Sequence, residues 1–396
     1  MQKTVLIICR NHLAKAPRFI MEVNALKSQY TILAAGLSGD TSKNASYQFI
    51  DIRNSIKKPQ NINITFHHHW ISPFRKIVSL FIHLFFNSSM NYEKKIMDYE
   101  FNLLKKNKFE LVIVHHLSAL PLAIKLAAFK KVKVIFNAHE YYPREFEDSA
   151  NWIKFEQPGY LKICEEYLSK ISALFVVCKS IGEEYEKQFG VKSVVVKNSK
   201  PFQQILPSQV TGDKIRIIHH GAAIRSRGLE VMVQMMDFLP SNFELYLMLM
   251  ETDLNYYKEL KTLAATYKNI YFVPTVSTNN IANEINKYDI GCFVLQPNNF
   301  NYLNALPNKL FEFIQARLAL AISPSPEMAA IVKQYDLGVV AKEFTAESMA
   351  EELKKISVEK IMYYKNQCHK YAQELSSEED EKIISETVNE LLIKQD

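Results

Sequence analysis

An α/β fold of two doubly wound parallel-sheet domains is what this sequence predicts, on three observations. Short runs rich in Val, Ile and Leu alternate with stretches whose apolar residues recur at helical spacing. Those runs are apolar throughout, as strands are when helices cover both faces of their sheet. The chain also has 396 residues, 48% of them hydrophobic, which is long for one core and natural for two.

In chain order, "TVLIIC" (4–9) reads as the first strand, "APRFIMEVNALKSQ" as a helix and "YTILAAG" as the next strand. A helix near 91–107 leads to the strand "ELVIVHH", the helix "LSALPLAIKLAAFKK" and the strand "VKVIFNAHE". A helix near 157–170, the strand "ALFVV", the helix "KSIGEEYEKQFG" and the strand "SVVVKN" complete this half. Residues 198–214, "NSKPFQQILPSQVTGDK", carry two prolines and no clear period, and read as the interdomain linker. The rhythm then restarts with "IRIIHHG", a helix from about 226, "FELYLMLM", a helix near 254–267, "NIYFVP", a short helix near 278–286 and "DIGCFVL". A helix opening at Pro307, then "LALAIS", a helix at 325–334, "LGVVA" and a charged amphipathic helical tail from about 345 close the chain. The expected domains are 1–198 and 199–378, with a C-terminal helix of about 379–396 packing back on the first. Ligands of such sheets bind beyond the carboxyl ends of the strands, so in a two-domain chain those ends are expected to face each other across a cleft.

Composition removes several function classes. The net charge of +6 is modest, and no basic run gathers it, so nucleic acid is not indicated. Cys9, Cys164, Cys178, Cys292 and Cys368 show no paired spacing, which argues against a zinc site or a disulfide framework and for a reducing, cytoplasmic setting. The N-terminus has too short an apolar run for a signal peptide, and no window reaches the roughly 20 apolar residues of a spanning helix. Residues 67–86, "HHHWISPFRKIVSLFIHLFF", admit two readings: a segment lying in a membrane interface, or a core helix with a basic start.

The chemistry concentrates just after strands. "FNAHEYYP" sets Asn137, His139 and Glu140 behind "VKVIF", where a histidine and a carboxylate can serve as base, hydroxyl acceptor or electrostatic stabiliser. The plainer alternative is that Glu140 pairs with Arg144. His115 and His116 after "ELVIV" are weaker candidates. "HHGAAIRSRGLEVMVQMM" (219–236) joins a strand to a helix through Gly221, Arg225 and Arg227, a pattern suited to a diphosphate but not a Walker A loop. In "ALPNKLFEFIQARLALAIS", Pro307 suits the first helical turn, with Asn308 and Lys309 close behind. Lysine opposes the helix dipole there unless an anion is present, and Glu312 follows on the same face, one turn on, placed to accept from ribose hydroxyls. Leu310, Phe311, Phe313 and Ile314 read as core.

With these motifs in this order, the chain resembles the retaining glycosyltransferases of the GT-B fold, in the large family 4 group (glycosyl transferases group 1) of the bacterial surface-polysaccharide type. The resemblance runs over nearly the whole chain: "APRFIMEVNAL", "NAHE", "VVVKNSKP", "HHGAAIRSRGLE" and "LPNKLFEFIQARLALAISPSPE" are each similar to a family segment. It implies two Rossmann-like domains, an N-terminal one for the acceptor and a C-terminal one for the nucleotide sugar, UDP- or GDP-linked. It implies no metal and no further cofactor. Glu312 matches the glutamate that holds the nucleotide ribose, and Arg227 the basic residue before glycine that meets the diphosphate. Lys309 is expected to add a second positive charge, and the motifs and the resemblance together give the donor set Gly221, Arg225, Arg227, Asn308, Lys309, Leu310 and Glu312. His139 matches the histidine near the transferred sugar and makes the catalytic pair with Glu140. The implied activity is transfer of a sugar to a lipid-linked or polysaccharide acceptor at the cytoplasmic membrane face, possible membrane contact resting on 67–86.

Departures from the pattern matter as well. The family's paired glutamates stand eight positions apart, and here the earlier position is Asn304, so the donor-sugar candidates are Asn304 and Pro307. The usual arginine after the turn glycine is Ala222, and Asn137 stands for an aspartate. "CRNHLAKAPR" replaces the N-terminal glycine-rich loop, leaving Arg10, Asn11 and Arg18, with His116, as acceptor or cleft candidates. A sugar-nucleotide epimerase on the same architecture, or an inactive partner that kept only the fold, stays open at this point.

Overall fold

The computed structural model describes residues 2–42, 45–53 and 94–393; the segment 67–86 lies outside the described residues. Every paired strand in it is parallel. The first sheet has seven strands: β1 Thr4–Ile8, β2 Thr31–Gly36, β3 Gln48–Asp51, β4 Leu111–His115, β5 Lys133–Ala138, β6 Ala173–Val176 and β7 Ser193–Val195. Their spatial order is β3-β2-β1-β4-β5-β6-β7. The second sheet has six: β8 Ile215–Ala222, β9 Phe243–Met250, β10 Ile270–Phe272, β11 Ile290–Phe293, β12 Ala319–Ile322 and β13 Gly338–Val340, in the order β10-β9-β8-β11-β12-β13. The strand order reverses between β1 and β4 in the first sheet and between β8 and β11 in the second, and the crevice for a ligand opens at such switch points.

Helices follow the strands as their apolar spacing dictates. The first half carries α1 Pro17–Leu26, α2 (94–104), α3 Leu120–Lys130, α4 Ala150–Phe155, α5 Gln157–Tyr167 and α6 Lys179–Phe189. The second carries α7 Glu230–Gln234, α8 Leu254–Ala264, α9 Ile281–Ile285, α10 Phe300–Leu303, α11 Asn308–Gln315, α12 Pro326–Gln334, α13 Ala346–Lys354, α14 Val358–Tyr371 and α15 Ser377–Ile393. Val5 to Ile8 and Leu111 to Val114 are wholly buried, as strands covered on both faces must be. In the second sheet Ile217, Leu245, Ile290 and Cys292 pack with Met232, Val233 and Met349 into one core. Gly338 is required there, because a Cβ on it would lie 1.9 Å from the carbonyl oxygen of Leu320 on the neighbouring strand.

Three local differences separate the structure from the sequence expectation. β3 is an added edge strand, half exposed and with a mixed polar pattern that hides it from a search for apolar runs. Arg225–Arg227 form a 3-10 turn closed by Gly228 at φ 60°, and α7 begins only at Glu230. Pro307 is the extended residue capping α11, φ −80° and ψ 155°, rather than a member of its first turn.

The chain divides into two compact units, Met1–Asn137 with Glu166–Ala173 and Asn389–Asp396, and Ala138–Glu165 with Leu174–Val388. The end of α15 belongs to the first, where Lys3 and Lys133 donate to the carbonyls of Leu392 and Leu391 at 3.0 and 2.8 Å. Residues 201–214 form neither helix nor strand. Just before them, Lys197 N and Ser199 Oγ donate to the wholly buried Asp380 carboxylate, and Ser377 N donates to the Lys200 carbonyl. All five cysteines are free and buried. Burial pushes Cys9, Cys164, Cys178 and Cys292 up to about 12, and raises Cys368 likewise.

Candidate functional site

The carboxyl end of β8 meets the first turn of α11 at the switch point of the second sheet. Gly221 ends the straight part of the strand at φ 130°, a conformation that side chains strain against. A Cβ there would also stand 3.0 Å from Lys309 Nζ and 3.8 Å from Arg227 Nη1. Glycine thus leaves room for two cations to converge. Lys309, the second residue of α11, is 6% exposed, with Nζ 3.2 Å from His219 Nε2 and 4.3 Å from the centre of the Phe293 ring.

The tautomer of His219 follows from its partners. Its Nδ1 lies 2.9 Å from the carbonyl oxygen of Cys292, which can only accept, so Nδ1 carries the proton and Nε2 accepts from Lys309. Burial, and then the charge of Lys309, hold His219 well below its ordinary value. Lys309 is itself depressed well below the usual lysine range, by burial first and the Arg227 guanidinium second, while Glu312 pulls the other way. Arg227 reaches toward the Ala222 carbonyl at 3.4 Å. A buried amine, a guanidinium and the positive end of α11 therefore share one corner, where among the described residues a neutral imidazole is all that receives the amine. That corner is complementary to a multiply charged anion.

One turn into α11, Glu312 is 8% exposed. Its Oε1 is 3.2 Å from Lys200 Nζ, and its Oε2 is 3.4 Å from His220 Nε2. His220 stands edge-on against Phe313, with ring centres 5.3 Å apart. Burial, then Lys309 and Lys200, press its titration well below the ordinary histidine range, so the ring is neutral near pH 7. Asn308 is half-buried at the head of the helix, and Leu310 is core at 1% exposure.

The loop after β11 makes the rest of this region. Asn299 caps α10 by accepting from Tyr302 N at 2.8 Å. Asn301 grips the segment after β5 at two points, accepting from Tyr141 N at 2.7 Å and donating to Tyr141 O at 3.1 Å. That grip holds the backbone beside His139 and Glu140, both half-buried. Burial raises Glu140 to about 7, and burial with the Glu140 charge raises Glu145 to about 7. Arg144 forms its ion pair with Glu147 and lies over the Phe300 ring. Asn304 is buried, its amide donating to Phe300 O at 2.9 Å, and its carbonyl accepts from Cys178 Sγ at 3.3 Å just before the half-buried Pro307. Arg225 is drawn outward into a two-point pair with Glu259, at 2.8 and 2.7 Å, over the Tyr256 ring.

The remaining candidates belong to the first unit. Arg10 donates to the buried Glu100 carboxylate at 2.6 Å and to Ser118 O at 3.1 Å. Asn11 is exposed and accepts from His12 N at 2.7 Å. Arg18 is 4% exposed and heads a buried chain: its Nε donates to Asn137 Oδ1 at 2.8 Å, Asn137 Nδ2 donates to Glu22 at 2.5 Å, and Glu22 also accepts from His115 Nε2 at 2.8 Å. His116 sits at φ 64°, and burial with the charges of His115 and Arg10 lowers it to about 4. Among the described residues no cluster of three His, Cys, Asp or Glu is arranged to hold a metal ion.

The structure thus gathers Gly221, Arg227, Lys309 and Glu312, and turns Arg225 away from them. Sequence reasoning missed His219, His220, Lys200 and Asn301. Two adjacent histidines before a strand-end glycine were the available signal for the first two, since neighbours on a strand point to opposite faces.

No protein-family model matches the chain, and no curated protein matches it. Solved structures do. Sucrose-phosphate synthase from Thermosynechococcus elongatus superposes with a TM-score of 0.71 at 11% identity, covering 99% of this chain and 100% of that one. The Anabaena protein HepE in complex with UDP-glucose gives 0.67 at 9% identity, over 98% and 99%. WaaG, a glycosyltransferase involved in lipopolysaccharide biosynthesis, gives 0.63 at 11% identity, over 96% and 99%. These likenesses, with the seven- and six-stranded parallel sheets, show the GT-B fold of two Rossmann-like sheets. No helix among the described residues is long and apolar enough to cross a membrane.

Proposed function

We propose that this protein is a glycosyltransferase, moving a sugar from a nucleotide-diphosphate sugar to a lipid-linked or polysaccharide acceptor in cell-surface glycan synthesis. The observation that carries the reading is the buried Lys309 beside Arg227 and Gly221, one turn from Glu312. HepE in complex with UDP-glucose and WaaG in lipopolysaccharide synthesis support the substrate class by likeness of fold. Donor binding falls to residues 199–378 and acceptor binding to 1–198.

In this reading the diphosphate lies against Lys309, Arg227 and the first turn of α11, and the ribose hydroxyls donate to Glu312. Breaking the bond from the anomeric carbon to the phosphate oxygen leaves negative charge on the diphosphate, which the two cations and the helix end stabilise without a metal ion. Asn304 and Pro307 border the donor sugar, and His139 with Glu140 border the reacting carbon and the acceptor hydroxyl. Retention follows if the acceptor attacks the face the leaving phosphate departs from, with that phosphate taking the hydroxyl proton. The enzyme works in the cytoplasm, at the inner membrane face, with contact through 67–86.

A thermal-shift screen against UDP, GDP, CMP and their sugars tests the donor site, since a ligand that binds only the folded state raises apparent stability. One nucleoside diphosphate and its sugar are expected to shift the transition; a flat response to all of them removes the reading. Incubation with the donor alone separates transfer from epimerisation, because epimerised nucleotide sugar without acceptor would replace the transferase assignment. Flotation with liposomes, comparing wild type with a variant altered at Arg75 and Lys76, tests the membrane contact. Equal recovery in the soluble fraction would remove it.

A further inference from the structure

Two opposite charges one helical turn apart ordinarily pair, and on α11 they do not. Lys309 and Glu312 stand at i and i+3, where an ion pair between them would form readily. Among the described residues Glu312 takes Lys200 and His220 as its partners, at 3.2 and 3.4 Å, and Lys309 takes the neutral His219. A direct Lys309–Glu312 pair would neutralise the cation that a diphosphate needs and consume the carboxylate that a diol needs. Something must hold the two apart.

We infer that His220 and Lys200 are positioning residues that keep Glu312 away from Lys309 and turn its free lone pairs toward the cis-diol of a ribonucleoside. This rests on the nucleotide-sugar reading above and deepens it. A carboxylate has about four acceptor positions. Lys200 pairs with Oε1 at 3.2 Å and His220 lies 3.4 Å from Oε2, so even with one position on each oxygen given to these neighbours, one on each is left, matched to two adjacent hydroxyls.

His220 is built for this task. It is 4% exposed, and among the described residues its buried Nε2 has no hydrogen-bond partner: Glu312 Oε2 stands 3.4 Å away but out of line for a bond. A small shift of the carboxylate toward a bound ribose sugar would complete that bond. The strand supplies the geometry: His219 and His220 are neighbours on β8 and so face opposite ways, one meeting Lys309 and the other Glu312. Lys200 comes from the segment leaving the first sheet, fixed there by Ser377 N on its own carbonyl and by Asp380 on Ser199. Among the described residues the charged and titratable groups around the carboxylate are Lys200, His220 and Lys309, with Arg227 beyond Lys309.

The test is calorimetric titration with UDP and GDP and their 2′,3′-dideoxy forms. Wild type is expected to bind one ribonucleotide at least tenfold more tightly than its dideoxy form. Lys200→Met and His220→Phe should each narrow that preference to under threefold and weaken the dideoxy form as well, because Glu312 then neutralises Lys309. Adding Glu312→Gln to Lys200→Met should restore affinity for the dideoxy form, and His220→Gln, which keeps a donor, should retain the ribose preference. Should His220→Phe fail to fold, the Lys200→Met pair of measurements decides alone. An unchanged ribose preference in Lys200→Met, or no rescue by Glu312→Gln, overturns the inference and leaves the donor site standing. Wild type that binds ribo and dideoxy forms equally overturns it together with the ribose role of Glu312. Wild type that binds no nucleoside diphosphate removes the proposed function itself.

Discussion

Lys309→Met should make the ligand-free protein more stable and its nucleotide binding weaker, two changes of opposite sign from one side chain. The amine is 6% exposed, has a neutral imidazole for a partner and faces the Arg227 charge. Burying one charge carries an effective penalty of several kcal/mol, and even replacing a whole buried ion pair by apolar side chains is neutral or gains about 1–4 kcal/mol, so removing this amine is expected to stabilise. Methionine also suits the face of Phe293, where Nζ lies 4.3 Å from the ring centre. Against this, His219 Nε2 loses its donor, a cost of about 1 kcal/mol or more. The net expectation is a gain of roughly 1–2 kcal/mol. Its pH dependence has a definite sign. The folded-state value of Lys309 is depressed below that of the unfolded chain, so between the two the unfolded state holds a proton that the folded state has released. Wild-type stability therefore rises with pH through that window, and the advantage of the methionine variant shrinks toward about pH 10. Loss of a charge-assisted contact to phosphate costs about 1.5–3 kcal/mol, or roughly 10- to 150-fold in affinity. Urea denaturation across pH and calorimetric titration with a nucleoside diphosphate measure the two halves. A variant that is less stable and binds nucleotide as well as wild type would show Lys309 to be a structural group, and the anion-site reasoning would be wrong.

Other substitutions test neighbouring parts of the site. Glu312→Ala and Arg227→Ala should each lower kcat/KM at least tenfold, about 1.4 kcal/mol of lost stabilisation, whereas Arg225→Ala should stay within about threefold because its guanidinium is spent on Glu259. Gly221→Ala should abolish measurable nucleotide binding and cost about 1–3 kcal/mol of stability, since φ is 130° and the new methyl would press on Lys309. Glu140 is raised to about 7 in the folded state, so its contribution to stability is present below the unfolded carboxylate value and lost as pH rises through 7. Thermal unfolding against pH should show Glu140→Gln gaining on wild type as pH rises from about 4.5 to about 7 and keeping that lead above it, with Glu145→Gln as the control for the neighbour that shares the shift.

The alternation of buried strands and helices was readable because both faces of each sheet are covered, so each strand announces itself as an unbroken apolar run. β3 was not readable for the converse reason: it is an edge strand whose Gln48 and Asp51 break the run. The diphosphate corner was half legible. Lys309 at the positive end of a helix is locally anomalous, and the anomaly pointed to an anion. The partner of Glu312 was not legible, because Lys200 reaches it from a distant segment and no local period couples the two. Arg225 and Arg227 looked equivalent in "RSRG". Only the 3-10 turn, with Glu259 on the outer side, separates their directions.

The five thiols have a practical side. Each is buried and held protonated far above neutral pH, so maleimide and iodoacetamide reagents meet a nearly silent background on the native chain. One cysteine introduced at an exposed position, such as Lys258 on α8, would then be the only fast-reacting group. A fluorophore or spin label can be attached there without first replacing the native sulfurs, so the core that those sulfurs pack into need not be disturbed before a distance is measured.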